Sequence, residues 1–344
     1  MVKNKKIQVL VIDDAMVSRE IIARGIVTDP FIEVVETASD VFEAREKIIA
    51  HLPDVLTLDI HMPKMDGISF LKKLMPQYPL PVVVISGSEK SVFEALEAGA
   101  VDFVVKPQIK NKKELEQFLN EVIRKIKIAS VAKVQNTKNV QSDKQNNHIK
   151  RLDTNTKMIA IGASTGGTDA ILKVVKNLPE NVPGIVVVQH MPAVFTHMYA
   201  KRLNAICNIT VKEAQDGDRI ESGVVLIAPG EYHMKVYKDK SSYFVKCFRG
   251  EKVNGHAPSV DVLFDSVAEA AKHQAVGVIL TGMGSDGAKG LMKMRKAGAY
   301  TIGQDKNSSV VYGMPMVAYN IGAVQKQVGI DDIAKEVVKY ISSH

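Results

Sequence analysis

The order of apolar and amphipathic stretches divides the chain into two regions of alternating strands and helices. In the first region the apolar runs are short and rich in β-branched residues, which is typical of parallel strands buried on both faces. Amphipathic stretches separate them, so five β/α units in about 120 residues predict a doubly wound, flavodoxin-like α/β domain. The predicted strands are Ile7–Ile12, Ile32–Ala38, Val55–Asp59, Val82–Ser86 and Phe103–Lys106.

The alternation resumes at Met158 and predicts a second, mainly parallel α/β domain. Two further runs, Tyr232–Tyr237 and Tyr243–Phe248, flank the charged turn KDKSS and predict an antiparallel hairpin in this domain. The predicted parallel strands are Met158–Ile161, Gly184–Gln189, Val224–Ala228, Ala275–Leu280 and Tyr300–Gly303.

Residues 127–157 have a different composition. The stretch KVQNTKNVQSDKQNNHIK is polar and nearly free of large apolar residues. It buries too little surface to offset its ordering entropy, which predicts a linker whose start can extend the preceding helix. We therefore expect domains at 1–126 and 158–344, joined by the linker 127–157.

The net charge of +7 is unevenly distributed over the 344 residues. The first domain has net charge −2, the linker +5 and the second domain +4. Neither folded domain is strongly basic, which argues against nucleic-acid binding. The +4 of the second domain suits an acidic protein partner, and an ordinary solvated surface explains it equally well.

No features of a membrane or secreted protein are expected. The chain has no run of about 18 apolar residues, so no membrane span is predicted. The N-terminal apolar run is short, ends in two aspartates and lacks a cleavage site, unlike a signal peptide. Cys207 and Cys247 lack C-x-x-C spacing and suit a reducing compartment. We expect a cytoplasmic protein.

Polar side chains follow the predicted strands of the first domain: Asp13 and Asp14, Asp59, Ser86 and Lys106. The carboxyl ends of parallel strands form one crevice, so these five side chains should converge. Three carboxylates there favour a hard cation such as Mg²⁺. Lysine and serine can hold phosphoryl oxygens, and an aspartate can attack an activated phosphoryl group. Any one residue alone would be interpreted as a solvated loop residue, but the combination favours phosphoryl transfer.

The segments VIDDAMVSR, LTLDIHMPKMDG, VVVISG and FVVKP resemble the response-regulator receiver family. The resemblance implies that Asp59 is the phosphoacceptor. It also implies Mg²⁺ as the cofactor for phosphorylation, and it assigns the metal ligands and two switch residues: Asp13, Asp14, Asp59 and the His61 carbonyl, then Ser86 and Lys106.

A glycine-rich turn opens the second domain. In MIAIGASTGGTDAI, residues 162–166 match G-x-S-x-G, the pattern of a strand-to-helix turn that presents a nucleophilic serine, here Ser164. The helix N-terminus would add N–H donors for an oxyanion. The match alone is weak evidence, because a phosphate-binding glycine turn or a plain loop has the same pattern.

A histidine and an aspartate stand in equivalent places. His190 ends the strand IVVVQH, and Asp286 follows VGVILTG in a glycine-rich turn. Ser164 would attack, His190 would take its proton and Asp286 would fix the imidazole tautomer. The chain order Ser–His–Asp differs from that of α/β-hydrolases, which indicates another topology. Competing candidates remain: His197, His233, His256, Asp169, Asp216, Asp218 and Asp261.

The motifs IGASTGG, VVVQHMP, HAPSVDVLF, ILTGMGSDGAKGL and SSVVYGMP after a receiver resemble the chemotaxis protein-glutamate methylesterase family, CheB. The resemblance implies the triad Ser164–His190–Asp286, with Met283 at the oxyanion, Thr165 lining the site and no cofactor for ester hydrolysis. It implies phosphorylation-regulated hydrolysis of glutamate γ-methyl esters on chemoreceptors, together with glutamine deamidation.

The same resemblance implies a CheA-type histidine kinase as phosphodonor, and a receiver that covers the catalytic cleft until it is phosphorylated. Three other functions stay open. A transcriptional response regulator needs a helix-turn-helix and a basic face, and neither is visible. A phosphorylation-gated adaptor on an inactive hydrolase scaffold, and a general esterase or protease with a fused sensor, require an assay to separate.

Overall fold

The protein is described by a computed structural model that covers residues 5–87, 89–134 and 155–343. The described residues form two compact units, one on each side of the gap at 135–154. Most of the predicted linker 127–157 lies outside the described residues, so its boundaries stay a prediction. No helix in the covered ranges is long and apolar enough to cross a membrane.

The first unit is a five-stranded parallel sheet in the order β2-β1-β3-β4-β5. This order and the intervening helices confirm the predicted doubly wound fold. The last helix runs three residues past the predicted domain end at 126. The strands are β1 (Ile7–Ile12), β2 (Ile32–Ala38), β3 (Val55–Asp59), β4 (Val82–Ser86) and β5 (Asp102–Val105); the helices are α1 (Met16–Ile26), α2 (Val41–His51), α3 (Gly67–Leu74), α4 (Glu89–Glu97) and α5 (Lys112–Ala129).

The second unit is a seven-stranded parallel sheet in the order β14-β13-β12-β6-β7-β9-β8. The predicted hairpin forms a separate antiparallel sheet of β10 (His233–Asp239) and β11 (Ser242–Phe248). The parallel strands are β6 (Met158–Ala163), β7 (Gly184–Gln189), β8 (Thr210–Glu213), β9 (Val224–Ile227), β12 (Ala275–Ile279), β13 (Tyr300–Gln304) and β14 (Lys326–Val328).

Six helices accompany this sheet. Helix α8 packs against β6, β7, β12 and the hairpin strand β10, and its residues Val260, Leu263, Phe264 and Val267 are fully buried. The helices are α6 (Gly167–Lys176), α7 (Ala193–Ile206), α8 (Val260–Ala270), α9 (Ala288–Lys296), α10 (Met314–Asn320) and α11 (Ile330–Ser343).

The two edge strands β8 and β14 were not predicted. The central strands β6, β7 and β12 are buried at every residue, which explains their continuous apolar sequence. The edge strands β8 and β14 are three or four residues long, and most of their residues are exposed or half-buried. A strand with so little buried surface leaves no hydrophobic run in the sequence.

Replacement of Ile161, a fully buried residue of β6, tests this core. Ile161→Ala should lower the free energy of unfolding of the second unit by about 2–5 kcal/mol, because it leaves a cavity between sheet and helices. Denaturant unfolding measures the change. The matched control Ile321→Ala removes the same atoms from a side chain that is 44% exposed and should cost under about 0.5 kcal/mol. Equal losses in both variants would contradict the assigned core.

Candidate active site

The strand order places the predicted serine and histidine on neighbouring strands. Ala163 at the end of β6 pairs with Gln189 at the end of β7, so Ser164 and His190 follow at the same sheet edge. The strand β12 lies on the other side of β6, and Asp286 occupies the turn between β12 and α9. The three residues therefore come from three adjacent strands of one parallel sheet.

Backbone hydrogen bonds fix the turn that carries Ser164. Its N–H donates to the Thr281 carbonyl at 3.0 Å, which ties the turn to the segment after β12. Its carbonyl accepts from Gly167 N–H at 2.7 Å and from the Gln189 amide at 2.9 Å. Gly166 has φ +75°, a left-handed conformation that glycine adopts without strain. The sequence thus forms the sharp strand-to-helix turn that was predicted.

Gly282 has no room for a side chain. A Cβ there would lie 2.7 Å from the Ser164 Cβ and 2.5 Å from the Met314 sulfur. The turn after β12 therefore packs directly behind the serine. This close approach explains why a glycine-rich turn stands at this point in the sequence.

His190 and Asp286 form a buried pair. The imidazole Nε2 lies 2.8 Å from Asp286 Oδ2, and both side chains are almost inaccessible to solvent. The other ring nitrogen, Nδ1, is buried and has no hydrogen-bond partner among the described residues. A neutral imidazole that donates from Nε2 leaves Nδ1 as a proton acceptor. In the serine-protease template the two nitrogens have the opposite roles.

Asp286 accepts hydrogen bonds from several parts of the fold. Besides His190, its carboxylate accepts from the N–H groups of Val260 at 2.7 Å and Asp261 at 3.2 Å, in the first turn of α8. The Ser259 hydroxyl and the Asn254 amide also donate, each at 2.8 Å. The N-terminus of a helix stabilises negative charge in this position.

These contacts decide the ionisation of Asp286. Burial alone would raise the pKa of the carboxyl, but hydrogen bonds and charge attraction from His190, with hydrogen bonds from Asn254 and Ser259, lower it well below its usual value. The neighbouring Asp261 behaves differently. Burial raises its pKa, against a hydrogen bond from Gly290 N–H, and the negative charge of Asp286 adds to the increase.

Two further residues lie at the site: His256, one of the competing histidines, and Asn254, which was not predicted. The ring of His256 stacks on His190 with centroids 3.7 Å apart and planes 7° from parallel. Asn254 donates to both Asp286 and Asp261, each at 2.8 Å. His256 and Ser259 lie within the quoted motif HAPSVDVLF, so that motif was the available signal, whereas nothing in the sequence singled out Asn254.

Among the other competing residues, His233 contacts the site indirectly, because its Nδ1 accepts from the Ser259 N–H at 3.3 Å. His197 faces Glu213 at 3.3 Å on the surface, and His233 hydrogen-bonds the Glu251 carbonyl. The remaining aspartates pair with lysines or backbone groups: Asp169 with Lys173, Asp218 with Lys212 and Asp216 with the Cys247 N–H.

The two predicted site-lining residues differ in exposure. Thr165 is buried, and its carbonyl accepts from the Thr281 hydroxyl at 3.0 Å. Met283 is 45% exposed in the turn after β12. That turn is held by hydrogen bonds from the Gly313 and Met314 N–H groups to the Gly282 carbonyl. The oxyanion role of Met283 and the site-lining role of Thr165 stay predictions.

In the first unit, Asp13, Asp14 and Asp59 converge as predicted. Carboxylate oxygens from all three lie within 4.8 Å of one another. Lys106 bridges two of them, 2.7 Å from Asp13 and in direct contact with Asp59. Because hard cations prefer oxygen ligands, the cluster fits Mg²⁺. The solvent-exposed position of Asp14 leaves that side of the cluster open.

Hydrogen bonds set the charge state of Lys106. Burial lowers the pKa of its ammonium group, but hydrogen bonds and attraction from Asp13 and Asp59 outweigh burial and raise it. Ser86 is buried at the end of β4. The His61 N–H donates to Asp59 Oδ1 at 3.1 Å, and the metal-binding role of its carbonyl stays a prediction.

Comparison with known proteins identifies the family. The model of the CheB methylesterase family matches residues 159–337, and that of the response regulator receiver domain matches 9–120. The chain is 56% identical to protein-glutamate methylesterase/protein-glutamine glutaminase 2 of Syntrophomonas wolfei subsp. wolfei, and 50% identical to the corresponding protein of Syntrophotalea carbinolica. Both matches cover 98% of each chain.

A solved structure supports the same assignment. The crystal structure of the Thermotoga maritima CheB methylesterase catalytic domain is 38% identical, with a TM-score of 0.53. The match covers 54% of this chain and 98% of that domain. The fold and site define a receiver-regulated hydrolase. The chain belongs to the CheB methylesterase family.

Asp286→Asn tests the buried pair. A lowered pKa means that the ionised carboxylate stabilises the fold fully above its unfolded value, about 3.9, and that this stabilisation is lost as pH falls below it. The difference in unfolding free energy between the wild type and Asp286→Asn should therefore be constant near neutrality and shrink below about pH 4. Denaturant unfolding across this pH range measures it.

The control for this measurement is Asp239→Asn, at the exposed tip of the hairpin, which should show no such pH dependence. A difference between the wild type and Asp286→Asn that is the same at all pH values would contradict the ionised buried pair.

Proposed function

We propose that this chain hydrolyses glutamate γ-methyl esters on chemoreceptors, and deamidates glutamines there, under the control of phosphorylation at Asp59. The observation that carries the proposal is the buried His190–Asp286 pair, with a free acceptor nitrogen, on the strand next to Ser164. The names of the relatives state both activities, and the chain matches those relatives over nearly its full length.

The chemistry follows from the orientation of His190. Its Nδ1 takes the hydroxyl proton as Ser164 Oγ attacks the ester carbonyl carbon. The resulting imidazolium is stabilised by the ionised Asp286, and it then protonates the departing methanol. Water attacks the acyl-enzyme by the same route and restores a free serine and a glutamate carboxylate. A glutamine side chain passes through an equivalent tetrahedral species and releases ammonia.

The developing oxyanion needs hydrogen-bond donors at the same sheet edge. The Met283 backbone N–H, in the turn that packs behind Ser164, and the N-terminus of α6 supply donors there. The partial exposure of Met283 is compatible with a large substrate such as a receptor helix, which requires an open site. No cofactor takes part in these steps.

The receiver uses different chemistry. Asp59 attacks a phosphoryl group supplied by a CheA-type histidine kinase, and Lys106 and Ser86 hold the phosphoryl oxygens. Asp13, Asp14, Asp59 and the His61 carbonyl would hold Mg²⁺, which would supply positive charge to offset the negative charge of the phosphoryl group. Phosphorylation then relieves a restraint of the receiver on the hydrolase. We propose that a protein regulated in this way acts in the cytoplasm.

Ser164→Ala tests the esterase. It removes the nucleophile and should abolish methanol release from methylated receptor membranes, which are the substrate that separates this function from a general esterase. Ser342→Ala, an exposed serine on α11, serves as the matched control and should retain full activity. Normal methanol release by Ser164→Ala would exclude the serine mechanism. A wild-type protein that releases no methanol would favour the alternative of a phosphorylation-gated adaptor on an inactive hydrolase scaffold.

Asp59→Asn tests the regulation. The amide keeps the shape of the side chain but cannot form an acyl phosphate, so a phosphodonor should stimulate the wild type and leave this variant at its basal rate. Deletion of residues 1–150 should raise the basal rate and remove the response. The same methanol assay measures the basal rate and the response to the phosphodonor. Stimulation of Asp59→Asn equal to that of the wild type would contradict the assignment of Asp59 as the phosphoacceptor.

A further inference from the structure

The turn that carries Asn254 and His256 contacts the proposed catalytic imidazole and its partner carboxylate from the same side. Val253 and His256 exchange two backbone hydrogen bonds of 3.0 Å, which closes a two-residue turn. Asn254 and Gly255 at its tip have φ of +54° and +84°. This asparagine–glycine pair is the combination that a tight hairpin turn of this type requires.

Asn254 anchors the turn to the two neighbouring carboxylates. One amide nitrogen donates to Asp286 Oδ1 and to Asp261 Oδ2, both at 2.8 Å. Asp261 is itself fixed, because its other oxygen accepts from Gly290 N–H at 2.7 Å in α9. An amide has two N–H donors, so Asn254 can satisfy both carboxylates at once. Asn254 is exposed as a residue, although its amide makes these two contacts.

His256, at the other end of the turn, covers one face of His190. The near-parallel stacking at 3.7 Å leaves no space for the His190 ring to tilt towards that side. The Nε2 hydrogen bond to Asp286 fixes one edge of the same ring. A ring fixed at one edge and on one face keeps its Nδ1 in a single direction.

We propose that Asn254 and His256 are positioning residues for the His190 imidazole: Asn254 anchors the turn on Asp286 and Asp261, and the turn presents His256 against the imidazole face. The inference rests on the proposed function, since the purpose of this arrangement is to aim Nδ1 at the Ser164 hydroxyl. Neither residue takes part in proton or acyl transfer.

The test uses Asn254→Gly in the full-length protein. Glycine tolerates the left-handed backbone, so the change removes the amide without adding strain. Solvent exchange of the His190 Nε2 proton, followed by NMR, should become about ten-fold faster because the turn loses its anchor on Asp286 and Asp261 and opens more often. On receptor membranes kcat should fall about ten-fold with KM unchanged, since substrate binding does not involve this residue.

Lys240→Gly is the matched control. Lys240 also has a left-handed backbone, with φ +51°, and lies exposed at the tip of the hairpin. It should match the wild type in proton exchange and in both kinetic constants. Exchange in Asn254→Gly equal to that in Lys240→Gly, or a His190 proton that already exchanges too fast to observe in the wild type, would overturn the positioning role.

His256 gives a second, independent variant. His256→Ala should speed the exchange of the His190 proton and lower kcat, and His256→Phe should largely restore both because it replaces the flat ring. His273→Ala, an exposed histidine, is the control and should change neither. Failure of His256→Phe to restore either value would show that the ring face is not what matters. Exchange of the His190 proton can be measured without turnover. Absence of methanol release would therefore contradict the proposed function and leave the positioning role to be decided by the exchange rates.

Discussion

The catalytic unit depends on one buried charge, the carboxylate of Asp286. A buried carboxylate is costly unless hydrogen bonds compensate for lost water, and here five donors do so. They come from the end of β7, the loop before α8 and the first turn of α8, while Asp286 itself belongs to the turn before α9. The assembly of three separate segments, namely the end of β7, the stretch from Asn254 to Asp261 and the turn before α9, is therefore required for one group to remain ionised. The same requirement holds His190 in place.

Both units use the carboxyl edge of a parallel sheet, but they use it differently. In the receiver, three carboxylates are gathered and Lys106 contacts two of them, so its single positive charge offsets part of the negative charge and the cluster suits a cation. In the hydrolase, five donors surround the negative charge of Asp286, and the proposed role of this charge is to orient and stabilise an imidazolium. The fold supplies convergence in each case, and the choice of residues decides the chemistry.

Strands buried on both faces could be predicted from the sequence, because their burial requires continuous apolar residues. The convergence of the strand-end residues could then be predicted, since parallel strands bring their carboxyl ends together. The short edge strands β8 and β14 could not be found, because little of either is buried. Asn254 was also missed. Its role depends on a tight turn folding back onto two carboxylates, and that is a tertiary contact which no periodicity records.

The proposed use of Nδ1 as the base is compatible with the strand geometry. Neighbouring strands lie about 4.8 Å apart, so a residue just past the end of β7 is close to one just past the end of β6. Nε2, the ring nitrogen farther from the backbone, reaches Asp286 in the turn before α9 at 2.8 Å, and Nδ1, nearer the backbone, is left without a hydrogen-bond partner among the described residues. In this topology the imidazole spans from one strand end to the turn beyond. A reversed ring would turn Nε2 away and remove one of the five donors that compensate for the burial of Asp286.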